Sequence, residues 1–390
     1  ARPPDLTSRV GPPDQMPVRT LTLDGFRSYE HLEIDFIDGP HVVVGRNAAG
    51  KTNLVEALVV LSTGRSHRSG ADPELVRWGA DFARSSATVE GSGRSEELEV
   101  VVHARGTGQG ARKRIRVNGV NRRAAALRPL LRTVLFAPED MLLIVGSPSL
   151  RRNLLDSLVA QREPTAAAVM ATYQRTLTQR NSLLRRIRED EADRAELPYW
   201  TQVMLENGTR ILDWRQQTLA AMAEPLAEAH REIAPEETDL RLRYRSNVEP
   251  GPGESNEDAL RRRLGETAEK EIWNGATLVG PHRDDFVFVS DERELTEFAS
   301  RGQQRTAILA LKLAELDVLS ALDGRPPLLL LDDVFSELDP ERRTHLVRRI
   351  GDLPQAIVTT TTPDDLDPAL VAASTLWHVE PGSVTRDDPT

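Results

Sequence analysis

The segment Gly45-Arg46-Asn47-Ala48-Ala49-Gly50-Lys51-Thr52 has the residue types and the spacing of a phosphate-binding loop. Glycines let such a loop turn its backbone N–H groups toward an anion, and the helix that follows adds its positive N-terminus. We expect Lys51 to contact the outer phosphates of a nucleotide and the Thr52 hydroxyl to ligate Mg²⁺. A chance glycine-rich turn is the alternative, but a short apolar run at 41–44 and a helical pattern at 52–62 supply the context that nucleotide binding requires.

A second set of chemically competent residues follows the apolar run at 328–331. Asp332 and Asp333 come directly after it, and a carboxylate at the carboxyl end of a buried strand lies where α/β sheets bind ligands. We expect Asp332 to hold Mg²⁺ through water and Asp333 to polarise an attacking water. An ordinary strand with a solvated turn is the weaker interpretation beside a phosphate-binding loop. Lys51, Asp332 and Asp333 are therefore the catalytic candidates.

Two further segments complete a recognisable order of motifs. Ser300-Arg301-Gly302-Gln303-Gln304 precedes a helical pattern at 302–319, and Val334-Phe335-Ser336-Glu337-Leu338-Asp339 follows the acids. The first resembles the signature motif of ABC-type ATPases, and the second resembles their D-loop. The order of the motifs is that of the ABC class, and not that of kinases, Ras-like GTPases or clamp loaders. This resemblance implies ATP and Mg²⁺ as cofactors.

Several stretches resemble the RecF family of bacterial repair proteins, and the resemblance covers about 18–362. They are Leu23-Asp24-Gly25-Phe26-Arg27-Ser28-Tyr29, Gly64-Arg65-Ser66-His67-Arg68, Phe136-Ala137-Pro138-Glu139-Asp140, Arg151-Arg152-Asn153-Leu154-Leu155-Asp156 and Gly280-Pro281-His282-Arg283-Asp284-Asp285, together with the phosphate-binding loop. The resemblance implies a nucleotide held between the loop of one subunit and the signature of another. The contacts so implied are Gly45, Arg46, Asn47, Ala48, Ala49, Gly50, Lys51, Thr52, Asn53, Ser300, Gly302 and Gln303, with Thr52 and Asp332 at the metal.

The same resemblance implies a function in recombinational repair and replication. It implies an ATP-dependent homodimer that binds double-stranded DNA or junctions of single and double strands. Such a dimer is expected to hydrolyse ATP weakly, to be stimulated by DNA, and to act with RecR and RecO in loading recombinase at gaps. His282 and Arg283 are candidates for contacting nucleotide or a second subunit, and a turn capped by Asp284 and Asp285 is an equally good interpretation.

The sequence departs from the wider ABC pattern at three places. Asp333 stands where transporters usually have Glu, so its carboxylate reaches one methylene less, and we expect slow turnover. A threonine, Thr359, Thr360 or Thr361, stands where a switch histidine is usual. The role of the ABC Q-loop is expected near Pro138-Glu139-Asp140.

The whole-chain net charge of −10 hides a segregated basic region. No acidic residue occurs from 105 to 138, and arginine and lysine are frequent there, so the region is expected to contact DNA phosphates with little sequence preference. A solvated basic face is the alternative. The candidates for DNA binding are Arg65, Arg68, Arg112, Lys113, Arg114, Arg116, Arg122 and Arg123. His67 is a similar candidate, and the scarcity of aromatic residues favours duplex backbone over stacked single strands.

Hydrophobic patterning predicts the α/β fold class, with an ABC-type head split in sequence by an inserted α-helical arm. Strands are expected at 18–23, 31–36, 41–44, 277–279, 328–331 and 358–361, and Asn118-Gly119 predicts a type I′ hairpin. Two long antiparallel helices, each of ~50 Å at most, are expected between 149 and 233, with a break at Leu197-Pro198. We predict a disordered tail at 1–16, a head at 17–148 and 266–390, with a β-rich part around 85–145, and an arm plus linker at 149–265.

Composition narrows the remaining possibilities. The chain has no cysteine, which excludes disulfides and thiolate chemistry. No apolar run is long enough to span a bilayer, and we expect a cytoplasmic protein without a membrane partner. The nucleotide-binding subunit of an ABC transporter is one alternative, although it predicts a glutamate after Asp332 and a switch histidine. An SMC-like structural ATPase is another, although it predicts a far longer coiled-coil insertion.

Overall fold

The computed structural model describes residues 17–91, 93–104 and 113–387, and the side chain of Glu337 lies outside the description. The predicted tail at 1–16 also lies outside the described residues. The chain divides into two units by its internal contacts: the first runs to Asp140 and resumes at Ile308, and the second comprises Met141–Ala307.

The elements of the chain follow in order. Those before Met141 are β1 (Val18–Phe26), β2 (Tyr29–Asp35), β3 (Gly39–Val44), α1 (Lys51–Thr63), β4 (Phe82–Gly91), β5 (Arg94–His103), β6 (Lys113–Val117), β7 (Val120–Asn121) and β8 (Thr133–Phe136). Next come α2 (Leu142–Val145), α3 (Pro148–Arg162), α4 (Ala166–Arg188), α5 (Leu197–Ile233), β9 (Arg241–Arg245), α6 (Asn256–Asn274), β10 (Asp285–Ser290), β11 (Arg293–Glu294), α7 (Leu295–Phe298) and α8 (Arg301–Ser320). The last are β12 (Leu328–Asp332), α9 (Pro340–Gly351), β13 (Gln355–Thr360), α10 (Pro368–Ala373), β14 (Thr375–Glu380) and β15 (Ser383–Arg386).

The first unit contains two sheets around one helix. An antiparallel sheet has the strand order β2-β1-β4-β5-β6-β7, and a mostly parallel sheet has the order β15-β14-β3-β13-β12-β8. Helix α1 contributes apolar side chains to a core that contains residues of both sheets, such as Leu21 and Leu330. Its middle, from Leu54 to Ser62, is buried on all sides, which is the pattern of a helix enclosed by a core.

The parallel sheet brings three functional segments to one edge. Strands β12 and β13 are buried along their whole length, as expected for central parallel strands covered on both faces. Strand β13 lies between β3 and β12 and pairs with both in parallel, with Asp332 opposite Thr359. The carboxyl ends of β3, β13 and β12 therefore meet at the same edge, beside the start of α1.

The second unit is helical with a small sheet. Helices α4 and α5 pack on each other, and α6 packs on both, which buries Tyr173, Leu212 and Leu260 in one cluster. Strands β11, β10 and β9 form an antiparallel sheet in that order. Within the described ranges, no helix combines the length and the apolar character needed to span a bilayer.

Three expectations from the sequence are wrong in detail. The predicted arm boundary at 265 falls inside α6, and 266–307 belongs to the second unit because α6 packs on α4 and α5, and β10 pairs with β9. The expected pair of long helices is a set of three, α3, α4 and α5; the 37 residues of α5 make it ~56 Å long. The expected strand at 277–279 has no strand hydrogen bonding.

Other expectations are confirmed. Asn118 and Gly119 have φ values of 51° and 72°, as the predicted type I′ turn requires. Helix α5 begins at Leu197 with Pro198 in its first turn, at the predicted break. The chain continues after the expected strand at 358–361 with β14 and β15, so the candidate threonines do not follow the last strand.

Candidate functional site

The phosphate-binding loop connects β3 to α1 and depends on two glycines for its shape. A Cβ on Gly45 would lie 2.5 Å from the carbonyl oxygen of Val379. Gly50 has a φ of 125°, and a Cβ there would lie 2.7 Å from the Tyr29 hydroxyl. Both distances are shorter than real Cβ atoms allow, so the two glycines of the motif are required by the packing around the loop.

Lys51 is the first residue of α1 and is 6% exposed. Its Nζ atom donates hydrogen bonds to the carbonyl oxygens of Gly45 and Arg46, at 2.7 and 3.3 Å. Burial lowers the pKa of Lys51, and the charges of Asp333 and Asp332 act in the opposite direction. The ammonium group therefore lies across the loop and close to both catalytic acids.

The two acids at the end of β12 are joined to the loop by hydroxyl groups. The Thr52 hydroxyl donates to Asp332 Oδ1 at 3.2 Å, and the Thr359 hydroxyl donates to the same oxygen at 2.7 Å. The Thr359 hydroxyl also accepts the backbone N–H of Asp333 at 3.0 Å. Asp333 has a φ of 54°, in the left-handed region. The sequence prediction that Thr52, Asp332 and Asp333 lie together is confirmed by these contacts.

The oxygen atoms around Asp332 fit a magnesium ion. The carboxylate of Asp332 is 4% exposed and lies within hydrogen-bond distance of the Thr52 hydroxyl, so both offer hard oxygen ligands on one side of the loop. Mg²⁺ is usually held by one or two such ligands, substrate phosphates and water. Among the described residues no cluster of three or more His, Asp or Glu residues could hold a metal by protein ligands alone.

The threonines in the switch position have separate environments. Thr359 is fully buried and bonded to Asp332, whereas the Thr360 hydroxyl donates to the Thr362 carbonyl at 2.9 Å. Thr361 is exposed. In the Q-loop position, Asp140 accepts the backbone N–H of Ala137 at 2.8 Å, which holds the turn that carries the exposed Glu139.

The signature residues lie at the start of α8, in the second unit. The Ser300 hydroxyl accepts the backbone N–H of Gln303 at 3.2 Å, and the Gln303 side chain accepts the backbone N–H of Ser300 at 2.9 Å. These reciprocal bonds form a capping box. Gly302 has only the Ser300 hydroxyl near the position of a Cβ, at 3.7 Å. The signature is therefore a fixed helix N-terminus with an open approach.

The candidate DNA-binding residues differ in how far their charges are already paired. Lys113 is paired with Asp72 at 2.7 Å, Arg116 with Glu99 at 3.0 Å, and Arg68 donates to Asn53 at 3.3 Å. Four others are exposed, and none has an ion-pair or hydrogen-bond partner for its side chain within the part of the chain that the structure describes: Arg65, Arg114, Arg122 and Arg123. Arg112 lies outside the described residues.

The motif that contains His282 builds a buried network in the second unit. The Tyr173 hydroxyl lies 2.8 Å from His282 Nδ1, and Asp284 accepts hydrogen bonds from the hydroxyls of Tyr244 and Ser246 at 2.6 and 2.7 Å. Burial lowers the pKa of His282 to about 4. These contacts favour the interpretation of the motif as a capped turn.

Sequence reasoning missed Glu56, a fully buried carboxylate in α1. It accepts two hydrogen bonds from Arg27 at 2.8 and 2.7 Å and one from Ser66. Burial opposes ionisation, but the bonds from Arg27 and Ser66 outweigh it and lower the pKa of Glu56. One charged residue within an apolar helix was the available signal. Glu56 fixes the segment after α1, which carries Arg65 and Arg68, to the helix of the phosphate-binding loop.

Comparison with known proteins agrees with this site. The model of the RecF/RecN/SMC N-terminal domain family matches residues 17–381. The DNA replication and repair protein RecF of Limosilactobacillus fermentum is 37% identical over 96% of this chain and 100% of its own length. RecF of Bacillus subtilis is 35% identical over 95% of this chain and 100% of its own length.

Solved structures agree as well. The recombination mediator protein RecF with ATP, of the RecFOR pathway, is 28% identical, with a TM-score of 0.88 over 98% of this chain and 100% of that chain. The Smc head domain of Pyrococcus furiosus shares the fold, with 16% identity and a TM-score of 0.54 over 96% of this chain and 97% of that chain. The chain has the fold of an ABC-type ATPase head of the RecF and SMC kind, and it belongs to the RecF family of DNA replication and repair proteins.

Proposed function

We propose that this protein is an ATP-dependent DNA clamp of recombinational repair and replication. It binds duplex DNA or junctions of single and double strands as an ATP-induced dimer, hydrolyses ATP slowly and helps to load recombinase at gaps. The observation that carries the proposal is the bonded chain Thr52–Asp332–Thr359–Asp333 beside Lys51, which joins the two acids to a phosphate-binding loop.

The residues of the loop have distinct tasks in hydrolysis. Lys51 exchanges its bonds to the Gly45 and Arg46 carbonyls for bonds to the outer phosphates of ATP. Thr52 and Asp332 hold Mg²⁺, which neutralises phosphate charge when it is bound. Asp333 orients water, and its short side chain suits slow turnover.

The dimer explains why the signature is open. Ser300, Gly302 and Gln303 at the start of α8 offer a hydroxyl and backbone N–H groups to an anion. In our proposal, these groups contact the terminal phosphate of ATP held by the loop of a second copy. Loss of that phosphate on hydrolysis would separate the two copies and release DNA.

DNA and protein partners follow from charge and family. The exposed arginines Arg65, Arg114, Arg122 and Arg123 suit contacts to phosphates, which do not depend on base sequence. RecR and RecO are the protein partners that we propose, because similar RecF structures are described within the RecFOR pathway. The transporter alternative is not favoured by any of the relatives given above.

Hydrolysis of ATP by the purified protein, with and without duplex DNA, tests the proposal. We expect slow turnover that DNA accelerates, and we expect Lys51→Arg to reduce it to background, because the guanidinium group cannot fit the tight turn that Lys51 spans between two carbonyls. Lysine-dependent turnover that DNA leaves unchanged would contradict the DNA-binding part of the proposal. Turnover that survives Lys51→Arg would contradict the assignment of the site.

A further inference from the structure

The segment after α1 packs against the turn that follows the basic hairpin of β6 and β7. Gly64 has a φ of 75°, and a Cβ there would lie 2.8 Å from the Ala124 Cβ and 3.1 Å from Ile115 Cδ1. Arg65 comes next in the chain. This close approach brings Arg65 to the turn in which Arg128 lies, although the two residues are far apart in sequence.

Arg128 is half-buried, and part of its guanidinium group lacks a hydrogen bond. Its Nη1 atom has almost no solvent exposure and no hydrogen-bond partner within the described residues. A buried donor left without a partner destabilises a fold by about 1–3 kcal/mol, and more when it is charged. Arg132, four residues later, contrasts with it, because its two Nη atoms bond to the carboxylate of Asp323 at 2.7 and 2.8 Å.

The charge of Arg128 is also uncompensated. Burial and the neighbouring positive charge of Arg65 both lower the pKa of Arg128, and no carboxylate among the described residues acts in the opposite direction. Buried charges in proteins are normally paired with an opposite charge. Two neighbouring arginines without an acid form a site whose missing component is an anion.

We propose that Arg65 and Arg128 form a phosphate-binding site, and that its ligand is a phosphodiester group of the duplex DNA backbone. The planar guanidinium group is suited to phosphate because it can donate two parallel hydrogen bonds. Arg122 and Arg123, exposed and close in sequence to the same turn, extend the positive surface beyond one phosphate. A polymer of phosphates therefore fits better than a free ion. This inference rests on the proposed DNA binding and adds Arg128 to it.

Binding of a fluorescent 20-base-pair duplex over a range of salt concentrations tests the site, with Arg128→Met as the variant. Methionine fills similar space without a charge. We expect the affinity to fall about tenfold at low salt, as for one charge-assisted hydrogen bond. The slope of log affinity against log salt should decrease by about 0.9, because one phosphate contact is lost. Arg19→Met is the control for loss of one charge, since Arg19 is already paired with Asp38 and Glu90; its slope should match that of the wild type.

Thermal unfolding separates a ligand site from a structural arginine. Without added anion, Arg128→Met should melt at or above the wild-type temperature, because it removes an unpaired buried charge, whereas Arg132→Met should melt lower. Sodium sulfate should raise the melting temperature of the wild type more than that of Arg128→Met. A lower melting temperature for Arg128→Met together with an unchanged salt slope would overturn the proposal.

The two arms also separate failure of the site from failure of the proposed function. If the wild type does not bind duplex DNA at all, the proposed function fails, and equal sulfate responses of wild type and Arg128→Met would then overturn the anion site as well. A sulfate response that needs Arg128, without duplex binding, would retain the anion site and overturn the phosphodiester ligand. If the wild type binds duplex DNA and Arg128→Met binds with the same affinity and slope, the function stands and the site is overturned.

Discussion

The hydroxyl of Thr359 contacts both acidic residues at the end of β12. It donates to the Asp332 carboxylate and accepts the backbone N–H of Asp333. The left-handed conformation of Asp333 destabilises a residue that is not glycine by about 1–2 kcal/mol. The hydrogen bond to Thr359 helps to offset this strain, so Thr359 sets the position of both acids without needing to touch the nucleotide.

Replacement of Thr359 by valine tests this positioning role. Valine keeps the shape of threonine but leaves the buried Asp332 oxygen and the Asp333 N–H without a partner, which costs about 1–3 kcal/mol. We expect kcat for ATP hydrolysis to fall roughly tenfold or more, with a higher Mg²⁺ concentration needed for half-maximal rate. Steady-state hydrolysis over a magnesium titration measures both.

Thr359→Ser is the matched control, because it restores the hydroxyl. Its rate and magnesium requirement should return toward the wild-type values. Equal magnesium requirements for the valine variant, the serine variant and the wild type would contradict a positioning role, whatever their stabilities.

The sequence allowed prediction of Lys51, Thr52 and Asp332 as one site because each follows from a local rule. A glycine-rich loop before a helix and an acid at the end of an apolar strand both point to the same edge of a sheet. The role of Thr359 could not be predicted, since it depends on the register between β12 and β13. The unpaired environment of Arg128 depends in the same way on tertiary packing.

At the scale of elements, buried polar networks hold the second unit together. Arg180 donates to Glu271 and Thr277, which joins α4 to α6 and to the segment after it. Arg215 forms two hydrogen bonds to Asp156 and one to the Pro281 carbonyl, which joins α5 to α3 and to the turn of His282. Because these contacts join segments far apart in sequence, hydrophobic spacing alone placed the boundary of the arm too early.

The turn of His282 predicts a pH dependence of stability in this unit. Burial lowers the pKa of His282 to about 4, Arg283, Arg152 and Arg180 contribute in the same direction, and the bond to the Thr277 carbonyl opposes them. The unfolded chain, with an ordinary histidine pKa of about 6.5, binds more protons between these values, so stability falls as the pH decreases from about 6.5 to 4. The expected loss is on the order of 2 kcal/mol.

Urea unfolding monitored by circular dichroism at pH 7, 6 and 5 measures this dependence. His282→Asn, which retains a hydrogen-bonding side chain that does not titrate, should flatten the dependence in that range even if it is less stable overall. An identical slope of stability against pH for the wild type and His282→Asn would contradict the assignment of the effect to His282.

At the scale of the whole molecule, charge is segregated. The net charge of −10 coexists with exposed arginines in the first unit, because many acids lie elsewhere and others pair with Lys113 and Arg116. Net charge therefore did not exclude DNA as a partner, and local charge gave the better prediction. The structure adds which cations are already paired, and this distinction could not be read from the sequence.

The ATP-dependent dimer is the central claim for the whole molecule. In a symmetric dimer each nucleotide would contact the phosphate-binding loop of one copy and the signature of the other. Lys51→Ala removes the loop lysine, and Ser300→Arg places a bulky cation at the start of α8. Each variant alone should lack ATP hydrolysis, and each should first be shown by thermal unfolding to be folded.

Mixing the two variants in equal amounts and measuring ATP hydrolysis tests this claim most directly. Half of the random dimers are mixed, and each mixed dimer has one intact composite site, so we expect recovery of about a quarter of the wild-type rate. The recovery should depend on total protein concentration as dimer formation does. Two folded, inactive variants that stay inactive after mixing, at concentrations where the wild type is fully active, would contradict the account.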